Sequence, residues 1–276
     1  TEINIASSKA IRVIVLATPP TLLQAEFDVS EPPNLLHLVG IMGIRDEVRP
    51  STQGALSAAR SAGIHTIMIT GDKKETAVAV AREVGLLDGI SAQEANASHD
   101  VVMTSDELKR LSDLELSRVL RRLRVVARAL PVDKSRLVQV AQEAGEVVGM
   151  TGDGLNDAVA LRLADVGFAM GSGVDVAREA SDIVVLDDNF SSTMKAVLYG
   201  RTIFKSIRKF IVFQSTINLA SMAIAFMGPF LGFDFPLTLI QLLWVNLVMD
   251  TLAALAFGGE SPLASYMHEN PIQRHA

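Results

Sequence analysis

The sequence predicts a doubly wound α/β domain with a parallel sheet, followed by a transmembrane helical hairpin. Three observations carry this: short β-branched runs alternate with helical periodicities up to about residue 186, glycine- and aspartate-rich turns follow two of those runs, and two long apolar stretches with a single charge between them come after Asn189. Residues 11 to 17 and 35 to 44 read as strands punctuated by Pro19-Pro20 and Pro32-Pro33. Pro50 to Ala62 reads as a helix stopped by Gly63, and His65 to Thr70 as the strand that follows. The alternation continues with helices at Lys74 to Val84, Leu116 to Arg124, Lys134 to Ala144 and Asp157 to Leu163. Strands are expected at Val125 to Ala129, Val147 to Thr151, Val166 to Met170 and Ile183 to Leu186.

After Asn189 the composition changes. Phe210 to Phe233 holds 24 residues without a charge, and Phe235 to Gly259 holds one charge, Asp250, with a tight turn near Asp234 between them. A bilayer core needs about 20 apolar residues as helix. Arg201, Lys205, Arg208 and Lys209 precede the first stretch, which puts the soluble domain on the cytoplasmic side of a multi-pass membrane protein. A net charge of -6 argues against a nucleic-acid partner, and the absence of cysteine excludes disulfides and thiolate metal sites. The start at Thr1 has no initiator methionine or signal-peptide pattern and reads as a cut end.

Chemistry concentrates in three places. Thr70-Gly71-Asp72 follows a strand, where ligands bind in open parallel sheets, although a helix cap would look the same. Asp153 and Asp157, four apart with Gly152 and Gly154 between strand and helix, suit a magnesium site with room for phosphate oxygens. Between them Lys134 can place a point charge on a transferring phosphoryl group, and Asp133 can cap a helix beginning near Lys134. In the second apolar stretch Asp250 is costly at mid-bilayer, about 2.5–3.5 kcal/mol on insertion scales, and Asn246 lies one turn earlier on its face. Such oxygen ligands suit a hard cation. The arginines at 118, 121, 122, 124 and 128 read as a solvated helix face, and His37, His65 and His99 lack ligand spacing.

Between Leu35 and Pro262 the chain resembles the P-type ATPases with their phosphorylation domain of the haloacid-dehalogenase type, which implies a doubly wound parallel sheet of that type. The resemblance rests on Gly43-Ile44-Arg45-Asp46-Glu47-Val48-Arg49-Pro50, Ile69-Thr70-Gly71-Asp72, Asp133-Lys134, Thr151-Gly152-Asp153-Gly154-Leu155-Asn156-Asp157 and Phe168-Ala169-Met170-Gly171-Ser172-Gly173. It implies that Thr70, Gly71, Asp72 and Lys134 hold an aspartyl phosphate. Asp153 then binds magnesium with support from Asn156 and Asp157, and Arg49 lies near ATP. Val159 stands where the family commonly has proline.

Gln241 to Asp250 resembles the sixth transmembrane helix of calcium pumps, with Met249 as in the plasma-membrane type, so Asn246 and Asp250 are expected to ligate transported calcium. Ser221, three after Asn218, lacks the charge that a second calcium would need, so one calcium per cycle is expected. The family's Asp-Lys-Thr-Gly-Thr nucleophile motif does not occur, nor does its Thr-Gly-Glu loop. The resemblance therefore implies a nucleotide-domain tail at 1–34, a phosphorylation domain at 35–200, membrane helices within 201–260 and a truncated loop at 261–276. By itself such a chain is expected to be inactive. The alternatives are a non-catalytic membrane protein and a pump for another hard cation such as manganese.

Overall fold

The computed structural model describes residues 12–18, 37–44, 47–91, 101–232 and 238–272, with only the backbone for 12 and 13. The proline pairs at 19–20 and 32–33, Arg45 and Asp46, His99 and the turn at Asp234 lie outside the described residues. Contacts divide the chain into two units, one of residues 1–60, 64–191 and 271–276, the other of 61–63 and 192–270.

In the first unit, β1 (Arg12–Thr18) and β2 (His37–Ile44) pair antiparallel, with an irregularity between Leu16 and Ala17. They form a ribbon of their own, apart from the sheets that follow. Helix α1 (Ser51–Ser61) precedes β3 (Met68–Ile69), and α2 (Lys74–Glu83) follows it. Next come β4 (Val102–Thr104), α3 (Ser105–Arg110), α4 (Asp113–Val119) and β5 (Val125–Ala127). The three strands form a parallel sheet in the order β3-β5-β4.

Side-chain alternation along a strand explains how this sheet is covered. Val102, Val125 and Ala127 bury against Leu56 of α1 and Ala77, Val78 and Ala81 of α2. Their neighbours Met103 and Val126 bury with Leu108, Leu116 and Leu137. Helices therefore lie on both faces, as a doubly wound domain requires.

Helix α5 (Pro131–Glu143) leads to β6 (Gly149–Gly152), a 3₁₀ turn (Leu155–Asp157), α6 (Ala158–Leu163), β7 (Val166–Met170), α7 (Asp175–Glu179) and β8 (Ile183–Val185). These strands form a second parallel sheet, β6-β7-β8. Where one continuous sheet was expected there are two, because among the described residues β3 pairs only with β5 and β6 only with β7. Helix α5 bridges them: Ile69 from β3 and Val148 just before β6 both pack on the cluster that holds its Leu137, Val140 and Ala141.

Several boundaries differ from expectation for local reasons. The helix expected at 116–124 runs from Asp113 to Val119, because Ser112 and Glu115 form a capping box, Ser112 N to Glu115 Oε2 at 2.8 Å. Thr104 and Glu107 do the same for α3, an element the periodicity did not reveal; β4 and α7, also short, were likewise unforeseen. Asp133 does not stand before its helix. It lies inside the first turn, where it accepts the Leu130 N–H at 2.8 Å.

In the second unit, α8 (Phe190–Met227) begins well before the expected span and is followed by a 3₁₀ turn at Pro229–Leu231. Then come α9 (Leu239–Gly258) and a 3₁₀ turn at Ala264–His268. Both long helices are apolar enough to cross a membrane. They run antiparallel: Phe213 and Phe257 meet edge to face with centroids 5.8 Å apart, and Lys209 Nζ reaches both Glu260 carboxylate oxygens at 2.7 Å.

Candidate functional site

Two of the sequence motifs leave the carboxyl ends of parallel strands. Thr70 extends β3, with its N–H donating to the Val126 carbonyl and its own carbonyl accepting from Ala129 N, both at 2.9 Å. Its hydroxyl donates to Asp72 Oδ2 at 3.1 Å and accepts the Asp72 N–H at 3.1 Å, so the turn is held by its own side chains. Arg128, in the left-handed region at φ 52°, donates its N–H to the Asp72 carbonyl at 2.9 Å. The Thr70-Gly71-Asp72 turn is thereby bonded to the segment that enters α5 and delivers Lys134.

Lys134 Nζ bonds Asp157 Oδ1, and the two side chains are only 17% and 7% exposed. The other carboxylate oxygen, Oδ2, accepts the N–H groups of Asp153 at 3.4 Å and Gly154 at 3.3 Å. Gly152 makes this closure possible: a Cβ there would stand 2.5 Å from the Asp157 Cβ. Gly173 meets the same loop from the far side, where a Cβ would come within 2.9 Å of the Asp153 carbonyl oxygen. Val174 N donates to that carbonyl at 2.9 Å.

Asp157 is thus fully engaged by a cation and two amides, whereas Asp153 is exposed. The expected pair of metal-ligating carboxylates becomes one free carboxylate beside one that is internally neutralised. A single carboxylate fits magnesium, which keeps several waters and is bound through one or two carboxylates plus phosphate oxygens. Asn156 is exposed at the same turn.

Arg49 donates to the Asp187 carbonyl at 3.4 Å. The adjacent Asp188, also in the left-handed region at φ 51°, accepts the Ser172 N–H at 3.0 Å. That bond, with a smaller contribution from Arg49, holds its carboxyl below the usual carboxylate range.

In the second unit Asn246 and Asp250 sit half-buried on α9, one turn apart, while Asn218 on α8 is exposed and Ser221 half-buried. Asp250 Oδ1 is buried without a hydrogen-bond partner among the described residues, and so is Gln214 Oε1 on α8. The sequence reading passed over Gln214; a glutamine among apolar residues in a span was the available signal. The basic residues before the span are engaged. Arg201 donates to the carbonyls of Tyr266 at 2.6 Å and Glu269 at 2.8 Å, and Lys205 pairs with Glu269 while lying 4.2 Å from the Tyr266 ring centroid.

The haloacid dehalogenase-like hydrolase model matches residues 16–165, more than half of the chain, and the model for the C-terminus of cation-transporting ATPases matches 234–276. Among curated proteins, the chain is 44% identical over 242 residues to plasma membrane-type calcium-transporting ATPase 7 of Oryza sativa subsp. japonica, covering 87% of this chain and 23% of that protein. It is 41% identical to the calcium-transporting ATPase PAT1 of Dictyostelium discoideum, covering 100% of this chain and 26% of that protein. The chain thus spans about a quarter of the length of the curated relatives it matches. A crystal structure of a zinc-transporting PIB-type ATPase in the E2.Pi state shares the fold at a TM-score of 0.58 and 23% identity, covering 97% of this chain and 32% of that one. With the Lys134–Asp157 closure at a strand end beside these matches, the chain belongs to the haloacid dehalogenase-like hydrolases.

Proposed function

We propose that this chain supplies the phosphoryl-handling rim and part of the cation site of a membrane pump that exports calcium at the expense of ATP. The observation that carries the reading is the Lys134–Asp157 pair, closed over the loop that presents Asp153 at the end of β6. At the end of β3 Gly71 would offer its backbone amide and Thr70 a hydroxyl that must first leave Asp72, and Lys134 offers a positive charge at the start of α5. Together these groups suit the equatorial oxygens of a transferring phosphoryl group. Magnesium, when bound, neutralises phosphate charge; Asp153 would hold it, Asp157 positions Lys134, and Asn156 lines the turn. Arg49, tied to the 187–188 turn, would stand on the nucleotide side.

The residue that accepts the phosphoryl group is read as lying outside this chain. Among the described residues β3 and β6 each have one edge without a strand partner, and both border α5, which supports a seat for one more parallel strand between them. On this reading residues 1–34 belong to the nucleotide-binding domain, 35–200 to the phosphorylation domain on the cytoplasmic side and 261–276 to a loop. Residues 201–260 then hold two membrane helices on which Asn246 and Asp250 ligate calcium.

The test is calcium-dependent formation of an acid-stable phosphoenzyme from labelled ATP by the full-length protein that carries this chain, together with calcium uptake into vesicles. Lys134→Met and Asp153→Asn are expected to abolish phosphoenzyme formation. Phosphorylation that is independent of calcium, or unaltered by Asp153→Asn, would defeat the proposal.

A further inference from the structure

Both side-chain donors of the phosphoryl rim are held by carboxylates of the same unit. Lys134 is held by Asp157, and burial of the two side chains closes that pairing off from solvent. Thr70 is held differently. Its hydroxyl donates to Asp72 Oδ2 at 3.1 Å, and Asp72 is exposed.

The backbone fixes this second pairing. The carbonyls of Thr70 and Asp72 accept from Ala129 N and Arg128 N, both at 2.9 Å. Arg128 adopts the left-handed region to reach the turn, at φ 52°, a conformation that is unfavourable for a residue with a side chain. The Asp72 N–H in turn donates to the Thr70 hydroxyl oxygen at 3.1 Å. The turn therefore presents the carboxylate to the hydroxyl, and only rotation about the side-chain bonds of Asp72 releases it. The middle of the turn is open, since a Cβ on Gly71 would meet nothing within 4 Å.

A carboxylate oxygen and a phosphoryl oxygen ask the same thing of Thr70, one O–H bond to a negative oxygen. Threonine has one such proton to give, so the two exclude each other at that atom, and as neighbouring anions they also repel. We propose that Asp72 is a built-in competitor of the phosphoryl group: its carboxylate holds the Thr70 hydroxyl until a phosphoryl oxygen displaces it, and takes the hydroxyl back when phosphate leaves. This rests on the phosphoryl-handling reading and revises one role in it. The family resemblance implies that Asp72 helps to hold the phosphate, whereas its hydrogen bond sets it against the phosphate. Asp157 does not suit that task, because leaving Lys134 would strand a buried charge. Asp72, already in solvent, leaves at little cost.

Orthovanadate, a phosphate analogue, measures the grip of the rim in the full-length protein that carries this chain, read as the concentration that half-inhibits calcium-dependent ATP hydrolysis in vesicles. Asp72→Asn keeps the side-chain size and a neutral acceptor. It should lower that concentration by about tenfold, because a neutral acceptor holds the hydroxyl less strongly than a charged one. Thr70→Val should raise it. In the Thr70→Val background Asp72→Asn should change it by less than about twofold, since no hydroxyl is left to release.

Vanadate affinity that is unaltered or weaker in Asp72→Asn overturns the proposal and leaves the phosphoryl-handling reading intact. A gain that persists undiminished without the Thr70 hydroxyl also overturns it, because the charge of Asp72 would then act at a distance. If Asp72→Asn hydrolyses ATP too slowly to follow, protection from limited proteolysis by vanadate gives the affinity and decides by the same criteria. No vanadate-sensitive hydrolysis by the natural sequence removes the phosphoryl-handling reading and this inference with it.

Discussion

The two units treat a carboxylate shielded from solvent in opposite ways. In the α/β unit Asp157 is closed in by Lys134 and by the amides of Asp153 and Gly154, so its charge is answered within the chain. In the helical unit Asp250 keeps a buried oxygen with nothing to answer it among the described residues. The difference teaches which part is self-sufficient. A carboxylate that is already neutralised works by holding other groups in place, whereas one left unneutralised in an apolar span waits for an external charge.

The contrast can be broken most forcefully at Lys134. Lys134→Met should leave Asp157 as an uncompensated buried charge and destabilise the α/β unit by about 3–5 kcal/mol, read as a lower denaturation midpoint for that unit. Lys134→Met with Asp157→Leu should recover most of that loss. If the single variant costs nothing, the pair is solvated and the contrast disappears. Asp250→Asn is the counterpart: cation affinity should fall by roughly a hundredfold or more, with no loss of stability in the α/β unit.

Two glycines sharpen the first half of the comparison. Gly152→Ala should cost about 1–3 kcal/mol in thermal unfolding, because its Cβ would collide with that of Asp157, whereas Gly71→Ala meets nothing within 4 Å and should be nearly neutral.

The smallest expected effect is a pH dependence at His65. Its Nε2 lies 2.8 Å from the Leu123 carbonyl oxygen, and burial, with Arg124 beside it, holds the ring below its ordinary value of 6.5. The unfolded chain therefore takes up this proton first. Stability from this group is full above about pH 6.5 and declines as pH falls below it. The exposed edge of the ring keeps the loss under about 1 kcal/mol. His65→Gln should flatten that part of a melting-temperature profile between pH 7 and 5.

Much of the α/β order was legible because period-2 and period-3.6 patterns reflect burial, and β7 runs from Val166 to Met170 as its apolar run indicates. Elements of three to six residues such as β4 and α3 carry too few positions for a period to register, although Thr104 with Glu107 and Ser112 with Glu115 were readable as capping boxes. The division into two sheets was not legible, since strand order depends on pairing partners rather than on any strand's own residues. At the site, residue types pointed to Lys134, Asp153 and Asp157, but not to the partnership that separates the roles of the two aspartates. That depends on Gly152 letting the loop fold back, which no spacing rule states. In the membrane unit the lone charge drew attention to Asp250, while Gln214 stood out only through the burial of its oxygen.

The free margins of β3 and β6 have a practical consequence. Among the described residues each has one side without a strand partner, the kind of surface on which foreign strands add. Produced by itself, the α/β unit should be adhesive, drawn to copies of itself or to any extended peptide. A synthetic strand complementary to that opening would serve as a solubilising agent before it served any catalytic purpose.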